Sequence, residues 1–200
     1  MRIELVGGLG CGKTTLAKEL EKRGAVGVYE ELESNPFLES CYKDFDTFKF
    51  PSQMWFALTK YHEIGVYDDP NKIYVHDQAV INNNAYTNLM FKDNFDSTPR
   101  QIVQDCFNYT EEWFGPPDTI VRIHRSPEAQ MENIRNRARQ HEQEVDLEFI
   151  KNLEEEIEKI VTRERELGYN RIIDIDADDV DFKEDKEFVD NLWETIRHVN

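Results

Sequence analysis

The sequence predicts an α/β protein in which a five-stranded parallel sheet carries helices on both faces. Two observations carry that prediction. Strand and helix signals alternate along all 200 residues without a linker, repeat or low-complexity segment, so one domain over 1–200 is expected. In addition, the first apolar run passes directly into a glycine-rich loop and then into helical spacing.

Taken in order, Ile3, Leu5 and Val6 make a short apolar strand, and the helix beyond the loop continues through Leu16 and Leu20. Residues 26–30 read as the second strand. Asn35-Pro36 starts a helix, with proline early in its first turn. Residues 52–63 are helical, bounded by Pro51 and Gly65. Residues 72–77 form the third strand and 82–90 a helix. Pro99 opens another helix, which stops before Gly115-Pro116-Pro117. The fourth strand spans 119–124, and Pro127 begins the helix that leads to Arg139. Asp146 is the expected N-cap of a long helix ending at Gly168, with Ile150, Leu153, Ile157, Ile160 and Val161 on its apolar face. Residues 171–175 give the fifth strand, and a helix from Lys183 closes the chain.

Composition narrows the function classes. A formal net charge of -17 repels nucleic acid, whose binding depends on counterion release by Lys and Arg, so no nucleic-acid partner is expected. No apolar run is long enough to span a bilayer. The opening strand leaves no room for a leader peptide. The three cysteines, Cys11, Cys41 and Cys106, share no metal-ligand spacing and read as reduced thiols of a cytoplasmic protein.

The loop Gly7-Gly8-Leu9-Gly10-Cys11-Gly12-Lys13-Thr14-Thr15 fits G-x-x-x-x-G-K-[ST], which cradles phosphates. Glycines let backbone N–H groups close on an anion, and the following helix aims its positive end at the same point. Lys13 would reach the outer phosphates of a nucleoside triphosphate, and the Thr14 hydroxyl would hold Mg²⁺. In parallel sheets ligands collect at the carboxyl ends of the strands. Those ends carry the loop itself, Glu30-Glu31, and Asp77-Gln78. Arg135, Arg137 and Arg139, at alternate positions, cannot share one helix face, and are expected where a helix breaks into a loop that closes over a phosphoryl group.

These motifs, with Asn35-Pro36-Phe37-Leu38, Tyr42, Gln53, Glu142 and the segment 174–182, resemble the deoxynucleoside kinases of the deoxyadenosine/deoxyguanosine/deoxycytidine group, in their compact bacterial or viral form. The resemblance implies a three-layer P-loop kinase fold with an arginine-bearing lid around 133–145. It implies transfer of the γ-phosphate of ATP, with Mg²⁺, to the 5′-hydroxyl of a deoxynucleoside. Glu30 would be the general base, a task for a carboxylate within hydrogen-bond reach of the attacking oxygen. Tyr42 and Glu142 would hold the 3′-hydroxyl, and Gln53 the base, with Asn83 and Tyr86 beside it. Arg137 and Arg139 would be lid arginines, and Asp77 would help hold Mg²⁺. Asp176, Asp181 and Phe182 would receive the adenine. The resemblance also implies a homodimer built on the helix at 146–167 and the helix after the third strand.

The sequence departs from the family pattern where an arginine normally follows Asp77. Gln78 stands there, on the substrate side, and Asn133 occupies a frequent lid-arginine position. The missing charge would then come from Arg135 or Arg125, or catalysis would be slower. Glu31 stands where proline is usual, leaving two adjacent acids as candidate bases. Two alternatives follow. A nucleoside monophosphate kinase would share the sheet and lid but need acceptor-side arginines, and residues 30–65 contain none. A catalytically weakened nucleotide-binding partner subunit is suggested by Gln78.

Overall fold

The alternation of side chains in the first strand sets the layers. In β1 (Arg2–Val6), Ile3 and Leu5 enter one core cluster and Val6 another. The computed structural model describes residues 1–137, 145–168 and 171–198. Strand β1 pairs in parallel with β3 (Tyr74–His76) and β4 (Thr119–His124), and the edges are β2 (Val26–Val28) and β5 (Ile172–Asp176). All five strands are parallel, as expected, and their order is β2-β3-β1-β4-β5. The order reverses around β1, which places a crevice at its carboxyl end.

Helices α1 (Lys13–Glu21) and α8 (Lys186–Arg197) cover the Ile3 and Leu5 face through Leu16, Leu20, Val189 and Trp193. On the Val6 face, α4 (Val80–Met90) and α7 (Leu147–Leu167) pack through Ile81, Ala85, Leu153 and Ile157. A third cluster joins α3 (Phe45–Val66) to α5 (Thr98–Phe114) around Ala57, Val103 and Phe107. Helices α2 (Leu38–Lys43) and α6 (Pro127–Arg137) complete the described α-helices. Among described residues no helix is long and apolar enough to cross a membrane.

Glu4 is buried on the second face, where its carboxylate accepts from Val80 N at 3.0 Å and pairs with Arg2 at 3.2 Å. Helix α4 has no side-chain cap of its own, so this anion meets the positive end of its dipole.

Several boundaries differ from the sequence reading. Pro51 does not bound the third helix but lies inside it. The helix starts at Phe45 because Asp44 caps it, accepting from Thr47 N at 3.2 Å. Proline then removes one backbone bond, a loss that the cap and the buried face through Gln53 and Ala57 offset. Asn35 is not the start of α2; its side chain accepts from Phe37 N and donates to Ser52 Oγ, tying the entry of α2 to α3. The last helix begins at Lys186, capped by Asp185. The apolar stripe of α7, open in the sequence to either a second subunit or the core, packs within the chain: Ile150, Leu153, Ile157 and Val161 are fully buried.

Candidate active site

The carboxyl ends of β1, β2 and β3 open into a cleft of about 1130 Å³. On one side lies the phosphate loop. Gly10 and Gly12 take positive φ values of 84° and 108°, a conformation that favours glycine, and Gly12 is the N-cap of α1. No side chain caps α1, so its first N–H groups and its dipole face the cleft. The Lys13 ammonium donates to the carbonyls of Gly7 at 2.8 Å and Gly8 at 2.9 Å. Cys11 is fully buried, and its Sγ accepts from the Lys13 ammonium at 3.9 Å.

Thr14 Oγ1 donates to Asp77 Oδ2 at 2.8 Å, joining the start of α1 to the end of β3. A hydroxyl and a carboxylate so placed fit the oxygen donors that Mg²⁺ takes when it keeps water and phosphate as its other ligands.

Glu30 lines the cleft, whereas Glu31 is exposed and precedes a 3-10 turn at Leu32–Ser34. Geometry thus separates the two adjacent acids. Burial pushes the Glu30 carboxyl up to about 7; the Lys60 ammonium opposes this, Glu63 and Asp77 add to it, and Lys13 opposes it more weakly. Lys60 is itself buried and bonded to Glu63 at 2.7 Å.

Beyond Glu30, the acceptor side offers uncharged polar groups. Gln53, Gln78 and Asn83 line the cleft with Tyr42 and Tyr86. Their amides are interlinked. Gln78 Nε2 donates to Asn83 Oδ1, Asn82 Nδ2 donates to Gln78 Oε1, and Gly7 N donates to Asn82 Oδ1 at 3.2 Å. Gln53 Oε1 accepts from the Thr87 hydroxyl at 3.0 Å, and the Asn83 Nδ2 is buried without a hydrogen-bond partner among the described residues. Gln78 therefore stands where a charge was expected and joins the phosphate loop to the acceptor pocket through Asn82.

On the opposite side, Asp181 and Phe182 line the cleft with Asp178, Val180 and Lys183. Phe182 is only 2% exposed and wedges under Gly12, so it supports the loop from the core. Asp176 stands apart: its carboxylate accepts from Asp178 N at 3.2 Å and shapes the turn rather than facing the cleft. Arg125 reaches this side, where it donates to Val180 O at 3.0 Å. Arg137 lines the cleft at the end of α6, but Arg135 is exposed and does not. Asn133 donates to Gly10 O at 2.9 Å and braces the loop. Arg139 and Glu142, with most of the lid at 133–145, lie outside the described residues.

Comparison with known proteins decides the family. The family described as deoxynucleoside kinase matches residues 3–199. The chain belongs to the deoxynucleoside kinase family. It is 28% identical to the deoxyadenosine/deoxycytidine kinase of Bacillus subtilis (strain 168), covering 98% of this chain and 92% of that one. It is 30% identical to the deoxyadenosine kinase of Lactobacillus acidophilus, over 70% and 68% of the two chains. In three dimensions it matches the deoxyadenosine kinase of M. mycoides solved with bound dCTP, with a TM-score of 0.81, 21% identity, and 98% and 100% of the chains covered. The kinase is an ATP-dependent phosphotransferase acting on a deoxynucleoside. Neither the monophosphate-kinase reading nor the partner-subunit reading finds support among these relatives.

Sequence reading missed Lys60, Asn82, Gln130 and Glu154, which surround the predicted residues. Lys60 had a signal, since it lies seven residues after Gln53 and so shares its helix face. The others had none.

Proposed function

We propose that Glu30 takes the proton of the 5′-hydroxyl of a deoxynucleoside, whose oxygen then receives the γ-phosphate of ATP held by the loop at Gly7–Thr15, with ADP as the leaving group. The observation that carries the proposal is a carboxyl raised to about 7 within the cleft that also holds Lys13 and Gln53. A base is most effective when its pKa lies near the working pH. Lys13 and the N-terminus of α1 offset charge on the phosphates, and Arg137 adds a cation from the lid, as does Arg139. Thr14 and Asp77 would hold Mg²⁺, which supplies further charge neutralisation between the phosphates. Gln53, Asn83 and Tyr86 receive the base, Tyr42 and Glu142 the 3′-hydroxyl, and Asp181 the adenine of ATP. The whole chain acts as one domain with a lid at 133–145.

A homodimer and a cytoplasmic location complete the proposal. With the α7 stripe committed to the core, the apolar side chains open to a second copy include Leu58 of α3 and Ile102, Tyr109 and Trp113 of α5. Positions 102, 109 and 113 share a helix face, and Tyr109 stacks between Tyr61 and Trp113.

The test is transfer from labelled ATP, with Mg²⁺, to each deoxynucleoside and to each monophosphate. Deoxyadenosine, deoxyguanosine and deoxycytidine come first, because relatives are named for them. Transfer to the nucleosides supports the proposal, and transfer only to monophosphates overturns it.

The pH profile tests Glu30 independently. Only the ionised carboxylate accepts a proton, so kcat/KM should rise with pH through about 7 and level off above it. Removing the cation in Lys60→Met should move the midpoint to higher pH, and removing the anion in Glu63→Gln should move it lower. Unmoved midpoints in both variants would mean that another group controls the profile.

A further inference from the structure

We infer that Glu154, on α7, is a positioning residue for catalysis: its carboxylate fixes the Gly7–Gly8 peptide so that the carbonyl of that peptide faces Lys13. The inference rests on Lys13 being the phosphate-binding lysine, as proposed above.

One peptide group is gripped at both ends. Its N–H, from Gly8, donates to Glu154 Oε1 at 2.9 Å. Its C=O, from Gly7, accepts from Lys13 Nζ at 2.8 Å. The two groups of a planar trans peptide point in opposite directions, so an acceptor on the N–H decides where the C=O looks. A charged acceptor makes that hold stronger than a neutral one.

The carboxylate is itself over-determined. Gln130 Nε2 donates to Oε1 at 2.7 Å, and Arg122 donates to Oε2 at 2.6 Å. The Arg122 side chain is 2% exposed and is also anchored on Ile123 O, while Gln130 is fully buried and donates to Arg125 O as well. Three donors, Gly8 N, Gln130 Nε2 and Arg122 Nη2, converge on the two oxygens of this one side chain. An amide at 154 would turn an N–H towards one of them. Gly8 is fitted to this approach: a Cβ there would collide with Glu154 Oε1 and Gln130 Oε1. None of these residues lines the substrate cleft except through the loop that they hold.

The test is kinetics and ATP binding of Glu154→Asp, Glu154→Gln and Lys13→Ala, with the two Glu154 variants repeated in the Lys13→Ala background. Glu154→Asp keeps a negative charge beside Arg122 but withdraws it from Gly8. We expect kcat to fall about tenfold and the ATP dissociation constant to rise in both Glu154 variants, with the nucleoside KM unchanged. In the Lys13→Ala background the same changes should leave the ATP dissociation constant unaltered, because the group being positioned is gone. Wild-type kcat in both Glu154 variants, or an undiminished effect without Lys13, would overturn the inference. So would failure of both variants to fold, which would assign Glu154 to the fold alone. Unimpaired Lys13→Ala would instead refute the reading of the loop on which the inference stands.

Discussion

Glu30→Gln is expected to lower kcat by roughly 10²–10⁴-fold, the usual contribution of a positioned general base, while ATP affinity stays within about twofold. The amide matches the carboxylate in shape but cannot take the proton. Glu31→Gln should retain full activity, since Glu31 is exposed outside the cleft. Thermal unfolding separates lost chemistry from lost structure. Burial raises the folded-state pKa of Glu30 from the ordinary carboxylate range to about 7, so the stability of the neutral form is present at low pH and lost as pH rises through about 7. Above that pH the wild-type enzyme holds a carboxylate that burial disfavours. Glu30→Gln removes it, and Tm at pH 8 should rise. An inactive variant with raised Tm would be the result expected of a strained functional group. An active Glu30→Gln beside an inactive Glu31→Gln would reverse the assignment.

Phe107→Ala should cost about 3–5 kcal/mol, because it empties a fully buried ring position between α3 and α5. Urea unfolding would read this as a lower midpoint with an unchanged slope, and Tm should drop by roughly 10 °C for a chain of this length. Phe107 does not line the cleft, so activity per folded molecule in the cold should survive. A loss below about 1 kcal/mol would show that the α3–α5 layer closes over the gap or is looser than it looks.

The fold was legible where local chemistry is unambiguous. Glycine spacing in a strand–loop–helix setting announced the phosphate loop, and Asp146 with Gly168 marked α7 to within a residue. Pro51 misled because a proline reads as a boundary, while the cap that starts the helix, Asp44, lies seven residues earlier. The cleft residues at strand ends followed from the parallel topology. Their supports did not. Asn82, Gln130 and Glu154 reach the loop across large sequence separations, and an amide or acid on a polar helix looks the same whether solvated or braced. The stripe on α7 showed amphipathicity correctly, but periodicity does not say whether the partner is the same chain or another.

The grip on Gly8 also has a consequence for the order in which the protein assembles. The loop is made well before α7, yet one of its hydrogen bonds spans 146 residues and another spans 75. Closing such long loops costs chain entropy that only later packing returns. The nucleotide site therefore cannot be complete until α7 has been synthesised and docked, so a nascent chain gains its ATP site near the end of folding rather than with the first strand and helix that spell it out.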